Sequence, residues 1–136
     1  MAVPIPEKFK DLLDRPIVVS LVTLMPDGKP QATPVWVDVK DGFVRVNSAR
    51  GRQKDKNMKV GSSVTVLSID PENPYRWMEV RGEVVEETEE GAVDHINVLS
   101  AKYMNRPDYY AGNEAQRGKE QRVTYKIEVQ HVNTSR

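Results

Sequence analysis

Asp27-Gly28 and Asp41-Gly42 constrain this chain more than any other feature, because each favours a tight reversal between antiparallel strands. Ile17 to Leu24 runs into the first, Pro30 to Val39 leaves it, and Phe43 to Asn47 leaves the second. These runs are β-branched or alternate apolar with polar side chains, which is the period of a strand. Three consecutive strands in a meander are expected. Pro34 cannot donate to a ladder, so it marks an edge or a bulge. Ile17 to Leu24 is apolar almost without interruption, which calls for cover on both faces, the second often from another subunit.

Ser62 to Ile69 alternates as a further strand until Asp70-Pro71-Glu72-Asn73-Pro74 breaks it. Tyr75 to Glu87 follows, with Met78, Val80, Gly82 and Val84 on one face and Trp77, Glu79, Arg81 and Glu83 on the other. Gly82 is a candidate bulge or close approach. Arg122 to Val129 alternates strictly and is expected to close the sheet. Helices are expected over Pro6 to Asp14, over Gln53 to Lys59, and from an N-cap at Thr88 along the stripe Ala92, Ile96, Leu99 and Tyr103 to Arg106-Pro107. Residues 107–118 read as a polar surface loop. About six strands with two or three helices predict a mainly β chain, a small antiparallel barrel forming one domain over residues 1–136.

Charge and composition exclude several functions. Twenty acidic residues balance twenty basic ones, so no global field draws nucleic acid or an anionic membrane, and neither is an expected partner. The absence of cysteine removes disulfides, thiolate metal sites and a cysteine nucleophile, and makes the cytoplasm the simplest location. The N-terminus lacks a basic region followed by an apolar run, and no stretch is apolar enough to span a bilayer, so the chain reads as soluble and unprocessed. The two histidines, His95 beside the helical stripe and His131 in the tail, read as surface residues, with no metal site. Gly-x-Ser-x-Gly, a phosphate loop and Gly-x-Gly-x-x-Gly are all absent. A catalytic role would then draw its reactivity from a bound cofactor.

The segment Asn47 to Asn57 stands out chemically. Arg50, Arg52, Lys54 and Lys56 face one acid, Asp55, directly after a strand and beside the small residues Ser48, Ala49 and Gly51. Small residues admit a ligand to the main chain, and a helix opening near Gln53 adds free N–H groups. This is a phosphate-holding pattern. Alone, it is also the pattern of a solvated charged turn.

Pro-Asp-Gly-Lys-Pro-Gln-Ala-Thr-Pro-Val-Trp (26–36), Asn-Ser-Ala-Arg-Gly-Arg-Gln-Lys-Asp-Lys-Asn (47–57) and Asn-Pro-Tyr-Arg-Trp-Met-Glu-Val-Arg-Gly (73–82) together resemble the pyridoxamine 5'-phosphate oxidase-like flavoproteins. The branch they resemble most binds the deazaflavin coenzyme F420. Leu-Ser-Ala-Lys-Tyr and Val-Thr-Tyr-Lys-Ile-Glu extend the likeness over nearly the whole chain. The resemblance implies an antiparallel split β-barrel of the FMN-binding-protein-like kind, assembled as a homodimer. It implies that Thr33, Pro34, Val35 and Trp36 pass beneath the ring system, that Asn47, Ser48 and Ala49 flank it, and that Arg52 and Lys54, with Arg50, Asn57 and Met58 nearby, hold phosphate. Arg76, Trp77 and Arg81 would come from the partner subunit. Gly-Arg-Gln-Lys stands where vitamin-phosphate oxidases tend to have Ser-Arg-Lys, which turns the reading away from pyridoxamine phosphate.

Singly, these residues have plainer explanations: a bulged edge strand for Thr33 to Trp36, a barrel-surface aromatic for Trp77, a cross-strand ion pair for Arg81. The leading functional expectation is an oxidoreductase passing hydride from reduced F420, or alternatively FMN, to a small electron-poor molecule. Catalytic side chains are unassigned, with Thr33 or Tyr110 as candidate proton donors. The rival expectation is a non-catalytic module that binds, stores or senses flavin or heme.

Overall fold

A computed structural model of the chain describes residues 2–136; Met1, the first residue of the expected domain, lies outside them. The strands are β1 (Val19–Leu24), β2 (Pro30–Val35), β3 (Val37–Lys40), β4 (Phe43–Ala49), β5 (Ser63–Ile69), β6 (Trp77–Thr88) and β7 (Arg122–Thr134). They pair into one antiparallel seven-stranded sheet in the order β2-β1-β5-β6-β7-β4-β3. β2 and β3 lie at opposite edges, yet Trp36 alone separates them in the chain. The sheet therefore curls until its margins meet at Trp36, a barrel joined there by the chain rather than by a ladder.

The expected second strand is thus two strands with a corner between them. Its halves pair as expected, β2 with β1 and β3 with β4, and Pro34 does lie on an edge strand. Asp41 (φ 54°) and Gly42 (φ 80°) are both left-handed while Lys40 pairs with Phe43, which defines a type I′ hairpin. At Gly82 the β6–β7 register shifts, and a Cβ there would come within 2.7 Å of Ile127 Cγ2 and press on the Glu128 carbonyl. β7 does not close a margin; it lies between β6 and β4 and joins the two halves of the sheet.

The barrel interior is filled by Leu21, Val37, Val44, Val46, Val66, Val80, Tyr125 and Ile127. Leu12 and Leu13 join that core from α1 (Asp11–Asp14), which follows a 3-10 turn at Glu7–Phe9 in place of one continuous helix. β1 buries a single face within the chain: Val18 just before it and Leu24 at its end are 55% and 48% exposed. The second cover expected for this strand is not supplied by the described residues of its own chain.

Three further helices complete the fold: α2 (Gln53–Asn57), α3 (Ala92–Met104) and α4 (Glu114–Arg117). α3 starts after Gly91, later than expected, because Thr88 still pairs with Thr124 and its hydroxyl accepts the Glu90 N–H instead of capping a helix. α3 packs across β4 and β7 and buries His95 with Ala92, Ile96 and Leu99, so His95 is not a surface residue. Among the described residues no helix is long and apolar enough to cross a membrane.

Candidate functional site

A cleft of about 380 Å³ opens where the Trp36 corner, the turn after β4, α3 and residue 109 converge. Trp36 forms its aromatic wall, stacked on Tyr103 (5.3 Å, 11°) and set edge-on to Tyr109 (6.1 Å, 87°). The Tyr103 hydroxyl donates to the Ile17 carbonyl (2.8 Å) and accepts the Val37 N–H (3.2 Å), so α3 holds the corner in place. Val18, Val35, Ile96 and Leu99 supply apolar lining.

The opposite side is cationic. Arg52, Lys54 and Arg122 all line the cleft. Asp55 presents the first two: it accepts the Gly51 N–H (3.0 Å), an Arg50 N–H (3.1 Å) and the Tyr125 hydroxyl, which fixes the turn with Arg50 behind it. Arg122 is 2% exposed and donates to the Tyr110 hydroxyl (3.0 Å), Asn47 Oδ1 (3.3 Å) and Glu120 Oε1 (3.2 Å). Arg52 donates to Glu120 Oε2 (3.0 Å). Lys54 has no ion-pair partner among the described residues; burial, then the charges of Arg52 and Arg122, push its ammonium below the usual lysine range.

Behind the cleft lies a buried polar chain. His95 Nε2 meets Asp38 Oδ1 (3.2 Å), and Nδ1 meets Thr124 Oγ1 (3.0 Å) and Asn47 Nδ2 (3.2 Å). Burial works to raise the Asp38 carboxyl, but hydrogen bonds from His95 and Arg45 outweigh it and hold the group at about 2. An ionised Asp38 assigns the proton to Nε2, so Nδ1 accepts from Asn47 and leaves Asn47 Oδ1 facing Arg122.

Of the residues singled out in the sequence, Pro34, Val35, Trp36, Asn47, Arg52 and Lys54 come together here. The others do not line the cleft. Thr33 turns inward on β2 beside Leu21, its hydroxyl buried without a partner. Ser48 and Ala49 are buried in β4, and the Ser48 hydroxyl is likewise unpartnered. Arg50 is spent on Asp55, Glu87 and Glu89. Asn57 donates to the Thr23 hydroxyl (3.0 Å) and Met58 belongs to the hydrophobic core. Arg76 holds Asp11 (2.5 Å) and Asp70 (3.1 Å) and lies over Phe9. Trp77 is half-buried opposite Ile69, and exposed Arg81 pairs with Glu79 on its own strand. Tyr110 is 1% exposed, its hydroxyl held between Glu120 and Arg122.

Sequence reasoning missed Arg122 and Tyr109. Arg122 and Thr124 sit on the polar face of an alternating strand; Tyr109, Tyr110 and Glu120 close over Arg122, and His95 of α3 meets Thr124. Their one sequence signal is that this face opposes the His95 side of an amphipathic helix.

The chain is thus a split β-barrel, a curled antiparallel sheet carrying an aromatic-walled, cation-lined cleft. The pyridoxamine 5'-phosphate oxidase family profile matches residues 5–136, and the chain belongs to that family. Among solved structures it is similar to an F420 reductase, with 30% identity, TM-score 0.80, and 95% of this chain and 98% of that one covered. It is also similar to a conserved hypothetical protein from Mycobacterium tuberculosis (23% identity, TM-score 0.73, 98% and 86% covered). A heme storage protein from Vibrio cholerae shares the fold at 11% identity (TM-score 0.67, 97% and 95% covered). The last two likenesses concern the fold alone. The search of curated proteins found no match.

Proposed function

We propose that this chain is a cytoplasmic oxidoreductase that uses reduced coenzyme F420 as hydride donor to a small electron-poor substrate such as an enone, quinone or nitro compound. The observation that carries the reading is that Arg52, Lys54 and Arg122 line one cleft and that Lys54 has no carboxylate partner among the described residues. A phosphate placed there gains charge-assisted hydrogen bonds worth roughly 1.5–3 kcal/mol each. The residues fit such a cofactor. Pro34, Val35 and Trp36 offer an apolar and aromatic wall, the edge strand β2 has main-chain groups with no neighbour on one side, and the Thr33 hydroxyl lacks a partner.

The bound deazaflavin would supply the hydride. The chain's own residues anchor phosphate, flatten one wall of the cleft and exclude water along Ile96 and Leu99. No side-chain acid is assigned: Tyr110 is tied to Glu120 and Arg122, so solvent protonates the product. Preference for F420 over FMN rests on the likeness to the F420 reductase. Arg50, expected beside the phosphate, and Arg76, expected in the partner's pocket, are ion-paired with carboxylates of their own chain.

The second reading is a module that holds flavin or heme without turnover. Heme is the poorer fit, because His95 is turned away and held by Asp38 and Thr124, while His131 is exposed on β7, so neither imidazole reaches the cleft. Fluorescence titration of the apo-protein with F420 and FMN tests the cofactor. Rapid mixing of the reduced holo-protein with an acceptor panel tests turnover, and reoxidation no faster than that of free cofactor throughout would favour the module.

A further inference from the structure

We infer that Glu120 is a resident counterion which a phosphoryl ligand must displace, so that this one carboxylate sets how strongly the cleft selects phosphorylated over unphosphorylated ligands. The inference rests on the reading of the cleft as a phosphate site. Glu120 bridges cations from two walls: Oε2 accepts from Arg52 (3.0 Å), on the turn after β4, and Oε1 accepts from Arg122 (3.2 Å), on β7. The Tyr110 hydroxyl also donates to Oε1 (2.9 Å), and the Glu120 N–H is held by the Gln116 carbonyl (3.2 Å). Among the described residues Glu120 is the only carboxylate ion-paired with any of the three cleft cations.

Its presence has a physical reason. Three cations crowd one cleft and repel one another; burial first, then the charges of Arg52 and Arg122, lower the Lys54 ammonium. Glu120 offsets the repulsion while the cleft holds only solvent. With Glu120 ionised, the three cations retain two net positive charges, enough to neutralise either the phosphodiester of F420 or the phosphate monoester of FMN. Lys54 takes no part in the Glu120 contacts, so it remains the open anchor, whereas the Arg52 donor now engaged by Oε2 must change partner. A neutral ring system gains nothing from that exchange. Glu120 therefore lowers affinity for phosphorylated ligands alone.

The test is fluorescence titration of the full chain with two ligand pairs that differ by the phosphorylated portion: FMN with riboflavin, and F420 with its phosphate-free deazaflavin alcohol. Glu120→Gln keeps an acceptor for Tyr110 and Arg122 but removes the charge. It is expected to tighten FMN and F420 by about fivefold to tenfold and leave the phosphate-free partners unchanged. Glu89→Gln, whose partner Arg50 lies outside the cleft, should alter neither. Should Glu120→Gln fail to fold, Glu120→Asp withdraws the carboxylate by one methylene and should shift the same ligands in the same direction. Equal tightening of both members of a pair, or weaker binding of the phosphorylated one, overturns the inference while Lys54→Ala still weakens FMN or F420. If Lys54→Ala also has no effect, the phosphate reading itself falls.

Discussion

Lys54 and Lys59 are near neighbours in sequence with different surroundings, and replacing each by alanine separates anchoring from surface charge. Lys54→Ala should weaken phosphate-bearing cofactor by about tenfold to hundredfold. Lys59 is exposed and only 3.8 Å from Glu87, so Lys59→Ala should change binding little. Equal small effects would return the segment to a solvated turn. Because the Lys54 ammonium sits below the usual lysine range, cofactor affinity should fall as pH rises through that lowered value, and Lys54→Arg should carry it to higher pH. Asp38 has the opposite sign. Its carboxyl is at about 2 against an ordinary 3.8, so its stabilisation is present above the ordinary value and lost as pH falls towards 2. Asp38→Asn should cost roughly 1–2 kcal/mol at neutral pH, allowing for partial solvent screening, and flatten the acid limb of a denaturation series.

Among elements, the β6–β7 pairing is tight at Gly82. Gly82→Ala would drive a methyl against the Glu128 carbonyl and Ile127, and an urea titration should show a loss of roughly 1–3 kcal/mol. That glycine was legible in the sequence, as were the Asp-Gly reversals and the alternating runs, because turn chemistry and period are local properties. The corner at Trp36 was not, since Pro34 to Val37 keeps an extended pattern and only the choice of pairing partners divides it. Thr88 misled for a similar reason: its capping preference yields to a ladder with β7. In the candidate site, strand-to-turn position marked Arg52 and Lys54, and both line the cleft. Asn57 and Met58 lie outside the cleft, because one turn of helix rotates them towards Thr23 and the core. Arg122 depends on Tyr109, Tyr110 and Glu120 folding back over β7, and His95 on how α3 lies over it, which no local window contains.

At the level of the whole molecule, the outer face of β1 and β5 is open, with Ile69 45% exposed, Leu67 half-buried and Trp77 beside them. We propose that a second copy covers this face. Sedimentation at micromolar concentration should give a dimer, and Ile69→Lys should shift it towards monomer; a wild-type monomer that still binds one cofactor per chain would sink the proposal. The join at Trp36 sets a different kind of constraint. A single chain cut in the turn at Asp41-Gly42 leaves both margins tethered, whereas a cut beside Trp36 releases the two together. Hydrogen exchange at β2 and β3 should therefore rise in concert after the second cut and stay low after the first. The chain works there as a drawstring: whatever displaces Trp36 changes the girth of the barrel and the width of its mouth as a single variable.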